Sequence, residues 1–183
     1  MVTLNVAPYV VAGGLLLAAA ACKGSGEPPT TLAAQDTADQ VLYGFEHNVT
    51  VDGVFRARLT ADTAFLYQGT QTALLYGLQV RFYSPEGELT STVTANDGTY
   101  DWRTGDMEAR GDVVAETPDD RVLTTTILRY VRREDTIAGP EAFVFDAPDQ
   151  HLEGDGFTAD PNFTNVETQN PRSGRVGELD VRR

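Results

Sequence analysis

The side chains able to do chemistry are few. The chain has 183 residues with two His, one Cys and one Trp, against 27 Asp and Glu. One Cys allows no intramolecular disulfide, and with two His it cannot build a Cys/His zinc site or an iron–sulfur site. His47 follows Glu46 and His151 precedes Glu153 by two residues, but the histidines are far apart in sequence. Neither belongs to a Gly-x-Ser-x-Gly or His-Glu-x-x-His pattern that would supply a nucleophile or a metal, so both are expected at the surface. Asp106, Glu108 and Asp112 alternate as carboxylates on one strand face would, the arrangement used to cleave glycosidic bonds. In so acidic a chain the simpler expectation is a solvated face. Asn96, Asp97 and Asp101 carry oxygen ligands of the kind Ca²⁺ takes, although an Asn-Asp-Gly turn accounts for them. Asn48-Val49-Thr50 and Asn162-Phe163-Thr164 match the glycosylation sequon. No catalytic residue, metal site or cofactor is expected, and the chain is not expected to be an enzyme.

Charge narrows the partners. Fourteen Lys and Arg against 27 acids give a net charge of −13, which excludes the basic footprint of a nucleic-acid binder. Arg56, Arg58, Arg81, Arg129, Arg132 and Arg133 could meet phosphate, but they stand within that acidic excess. Arg132-Arg133 beside Glu134-Asp135 is expected to be a solvated turn. The hydrophobic fraction of 41% suffices for a packed core despite 17 Gly and 9 Pro.

The elements that must position these residues are strands. Phe55, Ala57, Leu59 and Ala61 share one parity, and Arg56, Arg58 and Thr60 the other. The same period of two recurs in Leu78, Val80 and Phe82, in Leu89, Ser91, Val93 and Ala95, and in Leu123, Thr125 and Ile127. Turns are expected at Asp52-Gly53, Pro85-Glu86-Gly87, Asn96-Asp97-Gly98, Thr104-Gly105-Asp106, Pro118-Asp119-Asp120, Gly139-Pro140 and Pro148-Asp149. No long amphipathic helix competes, so the fold class is all-β.

Residues 1–21 carry no charged side chain, and Val10 to Ala21 is a run of small and aliphatic residues ending at Cys22. This is similar to a bacterial lipoprotein signal, with Cys22 as the lipidated residue and 22–40 as a polar tether. An uncleaved anchor helix, long enough for a bilayer core of about 30 Å, and a buried free Cys remain the other readings. Either membrane reading places the body, 41–165, outside the cytoplasm, with 166–183 as a flexible tail or a last edge segment.

The body repeats. Leu59-Thr60-Ala61-Asp62 aligns with Val93-Thr94-Ala95-Asn96 at the offset that also aligns Gly77 with Gly111. Gly139 then follows Gly111, and Tyr130 follows Trp102, at a second common offset, and Leu152-Glu153-Gly154-Asp155 opens a truncated copy. Each unit is strand, turn, strand, turn, so the layers bury an apolar face against their neighbours and form an elongated antiparallel sheet with two ends.

Gln40-Val41-Leu42-Tyr43-Gly44 leading to Val51-Asp52-Gly53-Val54, the Leu59-Thr60-Ala61-Asp62 unit, Thr104 to Val114 and Gly154 to Asp160, behind an N-terminal anchor, resemble the LptC family of lipopolysaccharide-export components. The repeats are similar to those LptC shares with LptA and the OstA-like domain of LptD. The lipobox-like Cys22 departs from the family's usual uncleaved helix. The resemblance implies a single OstA/LptA-like β-jellyroll, open like a taco, whose inner face accepts acyl chains and whose edges join neighbouring jellyrolls. It implies a periplasmic protein anchored to the inner membrane, the inner leaflet of the outer membrane being the other placement. The implied partners are lipopolysaccharide, an LptA-like protein at the C-terminal edge, about Gly154 to Asp160, and an LptB/LptF/LptG-like transporter at the N-terminal edge, about Leu42 to Val54. Inward parity assigns Leu78, Val80, Phe82, Val93, Tyr100, Trp102, Tyr130, Phe143 and Phe145 to the trough. The alternative is an adaptor lipoprotein with a filled core that joins envelope proteins by edge pairing alone.

Overall fold

The structure, a computed structural model, describes residues 38–176. The proposed signal segment, Cys22 and the tether up to residue 37 lie outside the described residues. Nine strands follow in order: β1 (Gln40–Val51), β2 (Val54–Tyr67), β3 (Thr72–Tyr83), β4 (Leu89–Asp101), β5 (Met107–Glu116), β6 (Val122–Val131), β7 (Thr136–Ala147), β8 (Gln150–Ala159) and β9 (Val166–Val176). They form one sheet in which each strand pairs antiparallel with the next. This is the expected all-β jellyroll of repeated strand-turn-strand units. Among the described residues no helix is long and apolar enough to cross a membrane.

Five expected turns lie between strands; two do not. Asp52 and Gly53 both take positive φ between β1 and β2, as Asp-Gly hairpin loops require. Asn96-Asp97-Gly98, however, runs inside β4, and Gly139-Pro140 inside β7. Both sit where the ladder skips. Register shifts fall between Thr94 and Asp97, Arg110 and Val113, Thr125 and Arg129, and Gly139 and Ala142. Pro140, which has no N–H to donate, occupies one of these unpaired positions.

The inward parity switches halfway along β2, β3, β4 and β6, in β2 and β3 with no register shift between them, and is kept along β5 and β7, which carry the extra residue at the skips. Buried positions run Ala57, Leu59, Ala61 and then Ala64 on β2, and Ala73, Leu75 and then Leu78, Val80, Phe82 on β3. On β6 they run Leu123, Thr125 and then Leu128, Tyr130, so Ile127 is not the inward residue its alternation implied. Inserted residues of this kind bend a strand and restore its apolar face beyond the bend. Gly44, Gly77, Gly111 and Gly156 all have positive φ along this line; two of the repeat's aligned glycines, Gly77 and Gly111, encode it, while the third, Gly139, has an ordinary φ.

The bends fold the sheet into two leaves that meet through side chains. Contacts pair the leaf on the β1–β2, β3–β4 and β5–β6 turn side with the opposite leaf about three strands on. Phe82 of β3 meets Tyr130 of β6 edge to face at 5.1 Å, and His47 of β1 meets Tyr100 of β4 at 5.1 Å. Ser91 of β4 donates to the Pro161 carbonyl after β8 at 2.7 Å. The core is apolar except for Ser91, Thr117 and Thr125, and among the described residues no buried side-chain nitrogen or oxygen lacks a partner.

Of the two expectations for 166–183, a last edge segment is what the described residues form, in place of the flexible tail. Val166–Val176 is a ninth strand paired with β8, so the sheet runs from Gln40 to Val176 rather than from 41 to 165, and only 177–183 of the expected tail lies outside the described residues. This strand carries exposed polar residues and Pro171, and holds on through backbone pairing and an Arg172–Asp155 ion pair. Hydrophobic alternation cannot detect a strand that buries almost nothing.

Candidate functional site

The nine candidate trough residues come from four strands and one turn. Leu78, Val80 and Phe82 lie on β3, Val93 and Tyr100 on β4, Tyr130 on β6, and Phe143 and Phe145 on β7; all eight are buried in one apolar cluster. Trp102, in the β4–β5 turn, is half-buried against that cluster. Sequence parity missed Leu128, Ile137, Phe157 and Phe163, of which Phe157 and Phe163 are among the largest fully buried side chains. Leu128 was hidden by the parity switch, and Phe163 lies in a loop where periodicity carries no signal.

The centre of the site is a seam between leaves. Leu78, Val80, Phe82 and Val93 face Met107, Ala109, Leu128 and Tyr130 across a cavity of about 10 Å³. Such a volume holds one water at most, so the leaves touch and the interior is filled. Away from this seam lie clefts of about 420 and 610 Å³, the first lined by Val114, Val144 and Arg172 and touching one candidate trough residue, Phe143, the second among turns. Alanines at 57, 61, 64, 73, 109, 115 and 159 are buried and let the backbones of the leaves approach.

Polar groups rim the seam. Tyr130 Oη donates to Asp135 Oδ1 at 2.9 Å, and Arg56 Nη2 reaches Asp135 Oδ2 at 3.2 Å, so a β2 cation and a β6–β7 turn anion clasp the two leaves. Burial, and then the Asp135 carboxylate, raise the Tyr130 phenol well above its ordinary range, so it stays a donor. Arg56, assigned by parity to the outer face, is half-buried here. His47 Nε2 lies 3.2 Å from Tyr100 Oη, and burial lowers its pKa. It is therefore half-buried rather than a surface histidine. His151 lies 2.5 Å from Asp146 and 3.0 Å from Glu153; hydrogen bonds to Asp146 and then Glu153 raise its pKa.

The other candidates do not assemble. Burial alone would raise the Glu108 pKa, but hydrogen bonds from Arg129 and Arg110 bring it below the usual range. Asp106 accepts the Arg132 backbone N–H at 2.9 Å, and Asp112 accepts Asn96 Nδ2 at 2.9 Å, so these acids serve three separate contacts and form no reacting pair. Asp101 accepts the N–H groups of Arg103 and Thr104, at 2.8 and 3.0 Å, and closes its own turn. Among the described residues no three His, Cys, Asp or Glu side chains could hold a metal together. Arg132 and Arg133 line the 610 Å³ cleft beside Asp52, Asp106 and Glu134, where acids outnumber the guanidinium groups and disfavour phosphate.

The profile of the family described as "Lipopolysaccharide-assembly, LptC-related" matches residues 10–167, which is 158 of the 183 positions. No individually curated protein matches the chain. Among solved structures, LptH of Pseudomonas aeruginosa, described as the LptA-homologous periplasmic component of the conserved lipopolysaccharide transport device, is similar at 17% identity and a TM-score of 0.49. That similarity covers 62% of this chain and 82% of LptH.

Proposed function

The chain belongs to the LptC-related lipopolysaccharide-assembly family, and from that premise we propose that it receives lipopolysaccharide acyl chains between the leaves of its folded sheet and passes them to a neighbouring jellyroll. Membership assigns the chain a role in lipopolysaccharide assembly, and on this reading it acts in the periplasm as a transport component and not as an enzyme. The observation that carries the finer reading is the seam itself. Leu78, Val80, Phe82 and Val93 meet Met107, Ala109, Leu128 and Tyr130 through side chains alone, while β1 and β9, at the two ends of the sheet, each have an outer edge that pairs with no other described strand. Leaves with no hydrogen-bond ladder between them part without breaking the sheet. An acyl chain entering the seam gains roughly 0.8 kcal/mol per buried methylene, without any headgroup clamp.

The edges supply the docking surfaces. On this reading β1, which exposes Val41, Leu42 and Tyr43, faces the transporter, and β9 faces the next jellyroll. The C-terminal edge is β9, not the Gly154 to Asp160 segment, which up to Ala159 belongs to β8, a strand flanked by β7 and β9. Cys22 or an uncleaved helix would hold the protein at the inner membrane. The filled seam favours a second reading, in which the protein joins envelope partners by edge pairing and carries no lipid.

Photocrosslinking separates the two. A photoreactive residue at Phe82 or Tyr130 of the full-length protein, incubated with purified lipopolysaccharide, should give adducts that unlabelled lipid competes away. The matched control is Arg81, which is exposed on the outer face of β3. Inward positions that label no better than Arg81 in folded protein would leave the adaptor reading in place.

A further inference from the structure

One bulky side chain enters the core in a way that core packing alone does not require. Phe163 is 1% exposed, yet it stands in the six-residue connection Asp160–Asn165 between β8 and β9, and its φ is +51°. The other non-glycine residues with positive φ are Asp52, Gln71, Asp112, Asp120 and Asp135, polar residues of which all but Asp112 lie in turns. Asp in particular tolerates that region, whereas for an aromatic residue it is an outlier that something must hold in place.

The loop is braced within itself. Asp160 accepts the N–H groups of Asn162, Thr164 and Asn165 at 2.8, 3.3 and 2.8 Å, and the Phe163 N–H donates to the Asp160 carbonyl at 2.9 Å. Side-chain bonds tie it to the facing leaf: Ser91 Oγ to the Pro161 carbonyl at 2.7 Å, and Arg121 Nη1 to the Asn162 carbonyl at 3.1 Å. Beyond these bonds the loop is held by the burial of Pro161 and Phe163, and its internal bracing lets it leave as one piece when those contacts part. Its flank also reaches the seam, because Pro161 and Asn162 border a void of about 30 Å³ together with Phe82, Tyr130 and the Arg56–Asp135 clasp.

We propose that the Asp160–Asn165 loop is a stopper: Phe163 occupies a place in the apolar interior that an acyl chain takes when cargo moves from the Phe82–Tyr130 seam toward β9, and the loop swings outward to admit it. This rests on the acyl-carrier reading above. The stopper explains why a strained aromatic is kept in a loop where a strand residue would pack without strain. Phe145 of β7 borders neither the seam nor the void beside it, so it reports cargo that has moved beyond them.

The test uses full-length protein with photoreactive residues at Phe82 and, separately, at Phe145, and purified lipopolysaccharide as the probe. In the parent protein Phe82 should label well and Phe145 weakly. Phe163→Gly, which removes both ring and strain, should raise labelling at Phe145 about fivefold while Phe82 stays within about twofold; Phe163→Leu should fall between. Asp160→Asn loosens the brace with the ring retained and should move Phe145 in the same direction, which covers the case in which Phe163→Gly fails to fold. Phe145 labelling unchanged in Asp160→Asn and in every folded Phe163 variant, with Phe82 labelled throughout, would overturn the stopper. Loss of Phe82 labelling in all variants would instead overturn the carrier reading, and the stopper with it.

Discussion

Replacing Gly77 with Ala tests whether the bend line is built on backbone conformation. Gly77 sits at φ +64° in the middle of β3, and a Cβ there would overlap the Asp62 carboxyl group of the neighbouring strand. Asp62 is exposed and its carboxyl is the far end of a movable side chain, so the overlap is relieved cheaply. The left-handed backbone cannot be relieved without unbending β3, and it costs an alanine about 1–2 kcal/mol. For a domain of this size that is a fall in Tm of about 3–6 °C. The assay is urea and thermal unfolding of the full-length protein, followed by circular dichroism. Gly77→Asn should cost about half as much, because Asn tolerates this region, and Asp62→Ala combined with Gly77→Ala should restore little. Gly69→Ala is the internal control: its Cβ would meet nothing within 4 Å, its φ is ordinary, and it should change stability by less than about 0.5 kcal/mol. If Gly77→Ala behaves like Gly69→Ala, or if Asp62→Ala rescues it fully, the backbone account of the bend is wrong.

Other perturbations probe the leaves and their rims. Phe82→Ala should cost about 3–5 kcal/mol, since it empties the ring position against Tyr130, and the urea midpoint reports it. Gly139→Ala has no φ penalty but would press a Cβ to 2.7 Å from the Ile127 carbonyl and into the Phe157 ring, so a loss of about 1–3 kcal/mol is expected in the same assay. The two histidines should act on stability with opposite signs. The His151 pKa is raised, so its contribution is complete below 6.5 and fades as pH rises through the folded value; His151→Gln should therefore lower the urea midpoint near pH 5.5 and leave it unchanged near pH 9. The His47 pKa is lowered, so its contribution is present above 6.5 and lost as pH falls; His47→Gln should flatten the decline in stability between about pH 7 and 5. Glu108→Gln should be costly at neutral pH and progressively less so as the pH falls through and below the ordinary carboxylate range, where the depressed carboxyl is itself protonated and loses its hold on Arg129 and Arg110.

What was legible in the sequence depended on what each residue type must do locally. Alternation gave the strands, because an inward position every second residue is imposed by the pleat. It failed at Ile127, where the inward parity of β6 reverses at the bend and Leu128 takes the inward place. Turn chemistry located the hairpins but overshot at Asn96-Asp97-Gly98 and Gly139-Pro140, because a bulge inside a strand wants the same residues as a loop. The constant spacing of Gly77 and Gly111 held the missing information: glycines that recur every second strand mark a fold line across a sheet and not a series of chain reversals. Of the candidate site, eight of nine residues are buried and Trp102 half so, since parity within a half-strand is dependable. Which residues oppose one another across the seam was not legible, because the pairing of Phe82 with Tyr130 depends on a three-strand offset that no local pattern records. Phe163 and β9 escaped for the complementary reason that one is buried from a loop and the other is a strand that stays exposed.

The closed seam and the proposed cargo are compatible only if opening and loading are one event. Parting Leu78, Val80, Phe82 and Val93 from Met107, Ala109, Leu128 and Tyr130 into water would expose both apolar faces at roughly 25 cal/mol per Å², a cost that grows with every residue uncovered. Parting them around an acyl chain exchanges one apolar contact for another, and the area term nearly cancels. What remains to be overcome is then the polar rim: the Arg56–Asp135–Tyr130 clasp and, toward β9, the bonds of Ser91 and Arg121 to the stopper loop. Hydrogen bonds of this kind are each worth about 0.5–1.5 kcal/mol net, and somewhat more where a charge is involved. Such a rim is strong enough to keep the empty interior shut and weak enough for a few buried methylenes to offset. Weakening it should therefore ease loading before it unfolds the sheet. Asp135→Asn is expected to increase lipopolysaccharide labelling at Phe82 while the melting temperature falls only slightly, and a variant that melts far lower without labelling more would show that the clasp supports the fold and does not gate it.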